Sequence, residues 1–284
     1  MIVENSKNFS IIFNKVVTSL KNNNINQPDV EAKIIINFAS KKKNSKFTSQ
    51  VIININKINL ILKKRLEGKP LAKIINEKGF WNDVFYTNQD TLDPRADSEI
   101  LVESINEDYE FMKNKKINFI DLCSGTGCLG LSLLNELPNS RCLFIDISFK
   151  AMKINQLNAK LLKLESRSKF SISNLLLDPN LKLNDIEFIV CNPPYIKSSD
   201  IKKLNKETLY DPLLALDGGD DGCDLYHQIV TQLKDLKYNG FLYLEIDPNI
   251  KDNLVKLVLD NNAKILYIKK DYLNLDRLVK IVFS

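Results

Sequence analysis

The spacing of apolar side chains changes character once along the chain. From about residue 6 to 78 it follows a helical period. Phe9, Ile12, Phe13, Val16, Val17 and Leu20 fall on one face, and Val30, Ile34, Ile35 and Phe38 on a second. Ile52, Ile55, Ile58, Leu62 and Leu66 make a third and longer stripe. Pro28-Asp29 opens the second helix, Asn-rich joints at 22–26 and 44 separate the three, and Gly68-Lys69-Pro70 ends the last. The expectation is a small helical bundle over residues 1–78. The stretch Gly79-Phe80-Trp81-Asn82-Asp83-Val84-Phe85-Tyr86 then predicts a short hairpin, within a connector spanning 79–92.

Beyond residue 90, short β-branched and aromatic runs alternate with helical ones. Strands are expected at 117–122, 141–146, 169–173, 186–191 and 241–246. Helices are expected at 128–137, 148–164, 224–236 and 249–261. Two last strands, 263–269 and 277–283, have no helix between them. Strands alternating with helices imply an α/β domain over 93–284, built on a mostly parallel, doubly wound sheet closed by an antiparallel pair. The chain shows no internal repeat and no low-complexity tail.

Composition narrows the class. A chain of 284 residues holds one sizeable core, or a core domain with a small appendage. No run approaches the roughly 18 apolar residues of a membrane span. The start, Met1-Ile2-Val3-Glu4-Asn5-Ser6, lacks the basic and apolar regions of a secretory signal, so no membrane association is expected. The five cysteines (Cys123, Cys128, Cys142, Cys191 and Cys223) form no Cys-x-x-Cys pair, and with one histidine they give no basis for a metal site. Isolated thiols of odd number fit a reducing, cytoplasmic setting. The net charge of +5 accompanies abundant lysine, asparagine and isoleucine, which reads as coding bias rather than a nucleic-acid footprint. Lys41-Lys42-Lys43-Asn44-Ser45-Lys46 is read as a solvated loop between helices, with contact to an RNA-rich partner as the other reading.

Three places carry chemistry. Asp121-Leu122-Cys123-Ser124-Gly125-Thr126-Gly127-Cys128 lies where the first strand of the sheet hands over to a helix. Gly125 and Gly127 permit positive φ and close backbone approach, and the helix N-terminus presents free N–H groups. With Gly130 they complete G-x-G-x-x-G, so a dinucleotide and S-adenosylmethionine both remain open at this point. For the latter, Asp121 would face the ammonium or sulfonium charge. Asp146 ends the next strand, where an acidic side chain accepts hydrogen bonds from ribose; the alternative is a helix cap, which Ser148 could supply instead. Asn192-Pro193-Pro194-Tyr195 follows the apolar run 186–191. Its prolines fix two φ angles and offer carbonyl acceptors without N–H groups, so a side-chain amide beside them suits the holding of a planar NH2 group. Hydride transfer has no use for such a clamp, which favours S-adenosylmethionine.

From Arg65 onward the chain resembles the protein-(glutamine-N5) methyltransferases that modify peptide chain release factors. The resemblance rests on Gly68-Lys69-Pro70-Leu71-Ala72, Phe80-Trp81, Asp93-Pro94-Arg95-Ala96-Asp97-Ser98-Glu99, the S-G-T-G loop, Asp146 and Asn192-Pro193-Pro194-Tyr195-Ile196. Most diagnostic is 211–222, Asp-Pro-Leu-Leu-Ala-Leu-Asp-Gly-Gly-Asp-Asp-Gly, similar to the family's E-P-x-x-A-L-x-G-G-x-D-G. It implies a class I S-adenosylmethionine-dependent methyltransferase: a Rossmann-like, mostly parallel seven-stranded sheet with a small N-terminal helical domain that docks the release factor.

By resemblance, Cys123, Ser124, Gly125, Thr126, Gly127, Asp146, Leu175 and Asn192 hold the cofactor. Asn192, Pro193, Pro194 and Tyr195 hold the target glutamine of a Gly-Gly-Gln loop, with Asn192, Pro193 and Tyr195 as the catalytic set. The chain departs from the family at Cys123 (usually glycine), at Asn174-Leu175 (often Asp-Trp or Asp-Leu) and at Asp93 (usually apolar). His227, the one imidazole, is read as a surface or packing residue, so catalysis is expected to come from placement, without a metal. The protein is expected to be a monomer with no nucleic-acid substrate. The competing readings are the same chemistry on a ribosomal-protein glutamine, adenine-N6 methylation of nucleic acid, and a methyltransferase-like binding module.

Overall fold

The computed structural model describes residues 2–3, 6–44 and 49–284, which form two compact units, Met1–Asn76 and Glu77–Ser284. The first contains β1 (Ile2–Val3), α1 (Ser6–Lys21), α2 (Pro28–Phe38), β2 (Ser40–Asn44), β3 (Ser49–Ile53), α3 (Ile55–Leu66) and α4 (Leu71–Ile75). Helices α1, α2 and α3 are those the periodicity predicts, with one difference of face, and the short α4 after Pro70 is additional to them. In α2 the buried side chains are Ala32, Ile35 and Ile36, while Val30 and Ile34 are exposed.

A larger difference is the three-stranded antiparallel ladder β1-β3-β2. Residues 41–44 of the lysine tract are paired strand rather than loop, with Lys41 opposite Ile52 and Lys43 opposite Gln50; Ser45 and Lys46 lie outside the described residues. Ile52 therefore belongs to β3 and not to the helix. Asn54 caps α3 by accepting the Lys57 N–H. Arg65 is buried at the end of α3, and its guanidinium grips Glu31 of α2 through two bonds of 2.8 and 3.0 Å.

The second unit opens with the hairpin β4 (Glu77–Phe80) and β5 (Asp83–Tyr86), then α5 (Glu99–Asp108). There follow β6 (Asn118–Leu122), α6 (Cys128–Glu136), β7 (Arg141–Asp146), α7 (Phe149–Leu161), β8 (Ser168–Ile172), β9 (Phe188–Cys191), α8 (Asp224–Asp235), β10 (Gly240–Glu245), α9 (Lys251–Asp260), β11 (Lys264–Lys270) and β12 (Asp276–Phe283). The seven sheet strands run in the order β11-β12-β10-β9-β6-β7-β8. All neighbours from β10 to β8 are parallel, and β12 is antiparallel to both β10 and β11. This is the mostly parallel sheet that the alternation predicts. The reversed strand is inserted one place in from the edge.

Period-two alternation sorts the side chains onto two faces. Ile120, Leu122, Ile189, Cys191, Leu242 and Leu244 pack with Tyr226, Ile229 and Leu233 of α8 and Leu254 and Val258 of α9. Phe119, Phe144, Phe188, Val190 and Tyr243 pack on the other face with residues of α5, α6 and α7. Both faces are covered by helices, so the central strands carry near-continuous apolar runs. The strand order reverses between β6 and β9, and a crevice opens beyond their carboxyl ends.

Candidate active site

A cavity of about 280 Å3 occupies that crevice. Its floor comes from the residues that leave four parallel strands: Cys123 and Gly125 after β6, Asp146 and Ile147 of β7 and its exit, Ser173 to Leu175 after β8, and Asn192 after β9. Two of these carry backbone strain, since Cys123 (φ 58°) and Leu175 (φ 52°) are left-handed without being glycine. A glycine at position 123 would adopt this conformation without the strain.

The loop after β6 is stitched to its neighbours. The Ser124 N–H donates to the Ile145 carbonyl (3.1 Å), the Gly125 N–H to Asp146 Oδ2 (2.8 Å) and the Gly127 N–H to the Ser124 carbonyl (2.7 Å). Gly127 has φ 78°, and a Cβ there would stand 2.3 Å from Asn155 Oδ1. Asn155, fully buried on α7, donates to Ser124 Oγ at 3.0 Å. Cys123 and Gly125 therefore line the cavity, while Ser124, Thr126 and Gly127 build the turn behind it.

Asp146 lines the cavity with both oxygens engaged, Oδ2 by Gly125 and Oδ1 by the Ser148 N–H at 2.8 Å. Each oxygen keeps a further lone pair for a ligand. Burial pushes this carboxyl above its usual range, against the pull of the two N–H groups. The cap of α7 is Ser148, whose Oγ accepts the Ala151 N–H. Asp121 does not meet the expectation that it faces a bound charge. Its side chain is buried, where Oδ2 accepts the Gly130 N–H at 2.9 Å, and it is not part of the cavity wall. Desolvation pushes its carboxyl well up.

On the target side, Asn192 lines the cavity and its Nδ2 donates to Ser98 Oγ at 3.0 Å. Pro194 also contributes to the wall. Pro193 is buried outside the lining, and Tyr195 is half-buried against the core with its hydroxyl 3.4 Å from Glu245 Oε1.

The motif is clamped from below by 211–222. Ile196 pairs with Asp217, the Ile196 N–H donates to the Leu216 carbonyl, and the Gly218 N–H returns a bond to the Ile196 carbonyl. A Cβ at Gly218 would meet Tyr195 Cα at 2.7 Å, so this glycine permits the close approach of two backbones. Asp211 in turn pairs with Arg95 and accepts the Asp93 N–H at 3.2 Å. Buried Asp93 accepts from the Thr87 hydroxyl at 2.7 Å.

Among the lining residues given no site role from the sequence are Asp90 to Leu92, Ile147, Pro212, Leu214, Ala215, Asp217, Leu225 and Gln228. The motif at 211–222 was the available signal for four of them. His227 is exposed on α8 and does not line the cavity.

A glycine turn, a strand-end acid and an Asn-Pro-Pro-Tyr exit, grouped at the reversal point of a parallel sheet with a reversed penultimate strand, define a Rossmann-like methyltransferase. The methyltransferase small domain model matches residues 82–211. The N-terminal domain of human METTL16 shares the fold with TM-score 0.52 and 13% identity, covering 96% of this chain and 94% of that one.

Closer in sequence is a release factor glutamine methyltransferase of Flavobacterium psychrophilum, 35% identical over 227 residues, which are 78% of this chain and 79% of the relative. Another of the same name, from Mycoplasma mycoides, is 32% identical over 279 residues, 92% of this chain and 94% of the relative. The chain belongs to the release factor glutamine methyltransferase family.

Proposed function

We propose that the protein transfers the methyl group of S-adenosylmethionine to the side-chain amide nitrogen of the glutamine in the Gly-Gly-Gln loop of a peptide chain release factor. The observation that carries this reading is the meeting of Asp146, Leu175 and Asn192 in the lining of one cavity. An acid for ribose, an apolar side chain for a purine and an amide clamp for the target stand within reach of one bound molecule. The cofactor supplies an electrophilic methyl group.

In this reading Cys123 and Gly125 border the cofactor, Asp146 accepts hydrogen bonds from its ribose hydroxyls, and Leu175 covers its base. Ser124, Thr126 and Gly127 build the turn that carries Cys123 and Gly125. The target amide nitrogen is a weak nucleophile because its lone pair is delocalised into the carbonyl. Asn192 Oδ1 and the Pro193 carbonyl accept its two hydrogens, which aims the nitrogen and favours the positive charge that grows on it. Pro194, in the cavity wall, keeps the clamp rigid, and Tyr195, packed against the core behind it, supports it. The unit Met1–Asn76 docks the body of the release factor, the role that leaves the chemistry to the second unit.

The test is incubation of the full chain with S-adenosylmethionine and an intact release factor, followed by peptide mass spectrometry. One added methyl on the Gly-Gly-Gln glutamine is expected. A factor that stays unmodified, or that is methylated elsewhere, rejects the reading.

A further inference from the structure

Beside the cavity, four large apolar side chains stand in the open within six positions of the chain. Leu209 is 50% exposed, Tyr210 41%, Leu213 58% and Leu214 57%. Leu209 and Tyr210 end one 3-10 turn, Thr208–Tyr210, and Leu213 and Leu214 begin the next, Leu213–Ala215. Single exposed leucines are ordinary on a protein surface, whereas a contiguous apolar patch marks a place of contact.

The patch is held in shape by its own backbone. The Asp211 N–H donates to the Thr208 carbonyl at 3.0 Å, the Ala215 N–H to the Pro212 carbonyl at 2.9 Å and the Leu216 N–H to the Leu213 carbonyl at 2.9 Å. Between the two turns, buried Asp211 is fixed to Arg95 and Pro212 sets its own φ at −65°. A surface ordered before contact loses little entropy when it binds. The patch also runs into the site. Pro212, Leu214 and Ala215 line the cavity, while Leu209, Tyr210 and Leu213 lie outside the lining. A ligand contained in the cavity can cover Leu214 and leaves the other three bare. A larger molecule with one end in the cavity covers all four.

We propose that this shelf is the docking surface for the polypeptide that flanks the target glutamine in the release factor. The proposal rests on the reading of that glutamine as the substrate. Asn192 and the Pro193 carbonyl hold an amide group that every glutamine carries, and the two glycines beside it have no side chain to grip. Recognition of the loop therefore falls to the residues beyond the glycines. The shelf is joined to the clamp through the Ile196 N–H, which donates to the Leu216 carbonyl at 3.0 Å, so both present themselves as one rigid piece. None of its four side chains carries a charge, so the partner segment is held by aliphatic or aromatic side chains buried against it. This contact is separate from the hold of Met1–Asn76 on the body of the factor, and a peptide cut from the loop keeps it.

The experiment measures methyl transfer by the full chain to two substrates, the intact release factor and a short peptide carrying its Gly-Gly-Gln loop with the residues on either side. The variants are Leu213→Ser and the double variant Leu209→Ser/Leu213→Ser, with Leu214 left in place because it lines the cavity. Leu259→Ser, at an exposed position of α9, is the control. All three leucines are at least half exposed, so the fold is spared. Leu213→Ser should lower kcat/KM for the loop peptide about 5–10-fold, mainly through KM, and the double variant should lower it further. The same loss is expected with the intact factor. S-adenosylhomocysteine affinity by calorimetry should stay within about twofold, and Leu259→Ser should match wild type. Unchanged kcat/KM for the peptide in both variants overturns the proposal. So does a loss confined to the intact factor, which assigns the shelf to the factor's body, or weakened S-adenosylhomocysteine binding, which assigns it to the cofactor. A wild type that is dimeric by light scattering and becomes monomeric in Leu213→Ser assigns the shelf to a second copy of the chain, and overturns it too. The two readings fail differently. A wild type that methylates neither substrate at the glutamine removes the functional reading; one that methylates both, with variants to match, removes the shelf alone.

Discussion

At Gly127 two constraints coincide, a φ of 78° and a missing Cβ that Asn155 would otherwise strike. Gly127→Ala should therefore cost about 1–3 kcal/mol of stability. It should also weaken S-adenosylhomocysteine binding, because Asn155 is what holds Ser124 in the turn. Thermal unfolding and calorimetry check this, and an unchanged affinity would detach Asn155 from the site. Glu245 gives a prediction of opposite sign. Burial makes its carboxyl titrate near 7 in the fold, against the usual 4.5 once unfolded, so between those values the native state holds a proton the unfolded chain has lost. Stability from this group is intact below 4.5 and falls as pH rises through 7. The full penalty is about 3 kcal/mol. Glu245→Gln should accordingly be more stable than wild type by up to that amount near pH 8.5 and little different near pH 4.5, as urea unfolding at both values would read. An equal gap at both pH values would show that Glu245 does not carry the titration. Gly127 and Asn192 were legible in the sequence because motifs announce them. The contact of Ser98 with Asn192 was not, since the two lie 94 positions apart and only the fold brings them together.

At the scale of elements, one carboxylate joins two loops. Asp211 is buried, pairs with the half-exposed Arg95 guanidinium and accepts the Asp93 N–H, so the 93–95 and 211–217 segments are held as one. Asp211→Asn keeps the shape and removes the charge. The expected cost is about 1–2 kcal/mol, less than for a fully buried pair because Arg95 reaches water. Amide hydrogen exchange over 212–218 should accelerate, and unchanged exchange there would mean that the clamp of Ile196 on Gly218 suffices alone. The strands of the large sheet were readable because both of its faces are buried, which forces apolar residues at successive positions such as Phe188 to Cys191. The ladder of the first unit was not. Ser40–Asn44 is polar throughout and shows no alternation, and the run before Asn54 is short enough to merge with the helical stripe that follows. The cap at Asn54 was the sequence signal that separates the two.

At the scale of the whole molecule, the two units have separate cores. The core built on Val16, Leu20, Ile35, Ile36 and Ile58 draws on no residue beyond Ile75, and the two clusters flanking the large sheet draw on none before Phe80. Every residue lining the cavity lies between Asp90 and Gln228, inside the second unit. The physical consequence is that chemistry and docking should be separable. A chain beginning at Glu77 retains both clusters, the glycine turn, Asp146 and Asn192, and is expected to bind S-adenosylhomocysteine within about threefold of the full chain, a change of under 1 kcal/mol. It should methylate a short Gly-Gly-Gln peptide at a rate close to that of the full chain, because a peptide offers nothing for the missing unit to hold. An intact release factor is different. Losing a docking surface removes binding energy that brings the loop to the cavity, so kcat/KM for the factor should fall by about 10–1000-fold while the peptide value stays put. Methyl transfer to the two substrates, measured side by side with both forms of the enzyme, reads that ratio directly. A truncated enzyme that folds and methylates the intact factor as fast as the full chain would assign Met1–Asn76 some role other than docking.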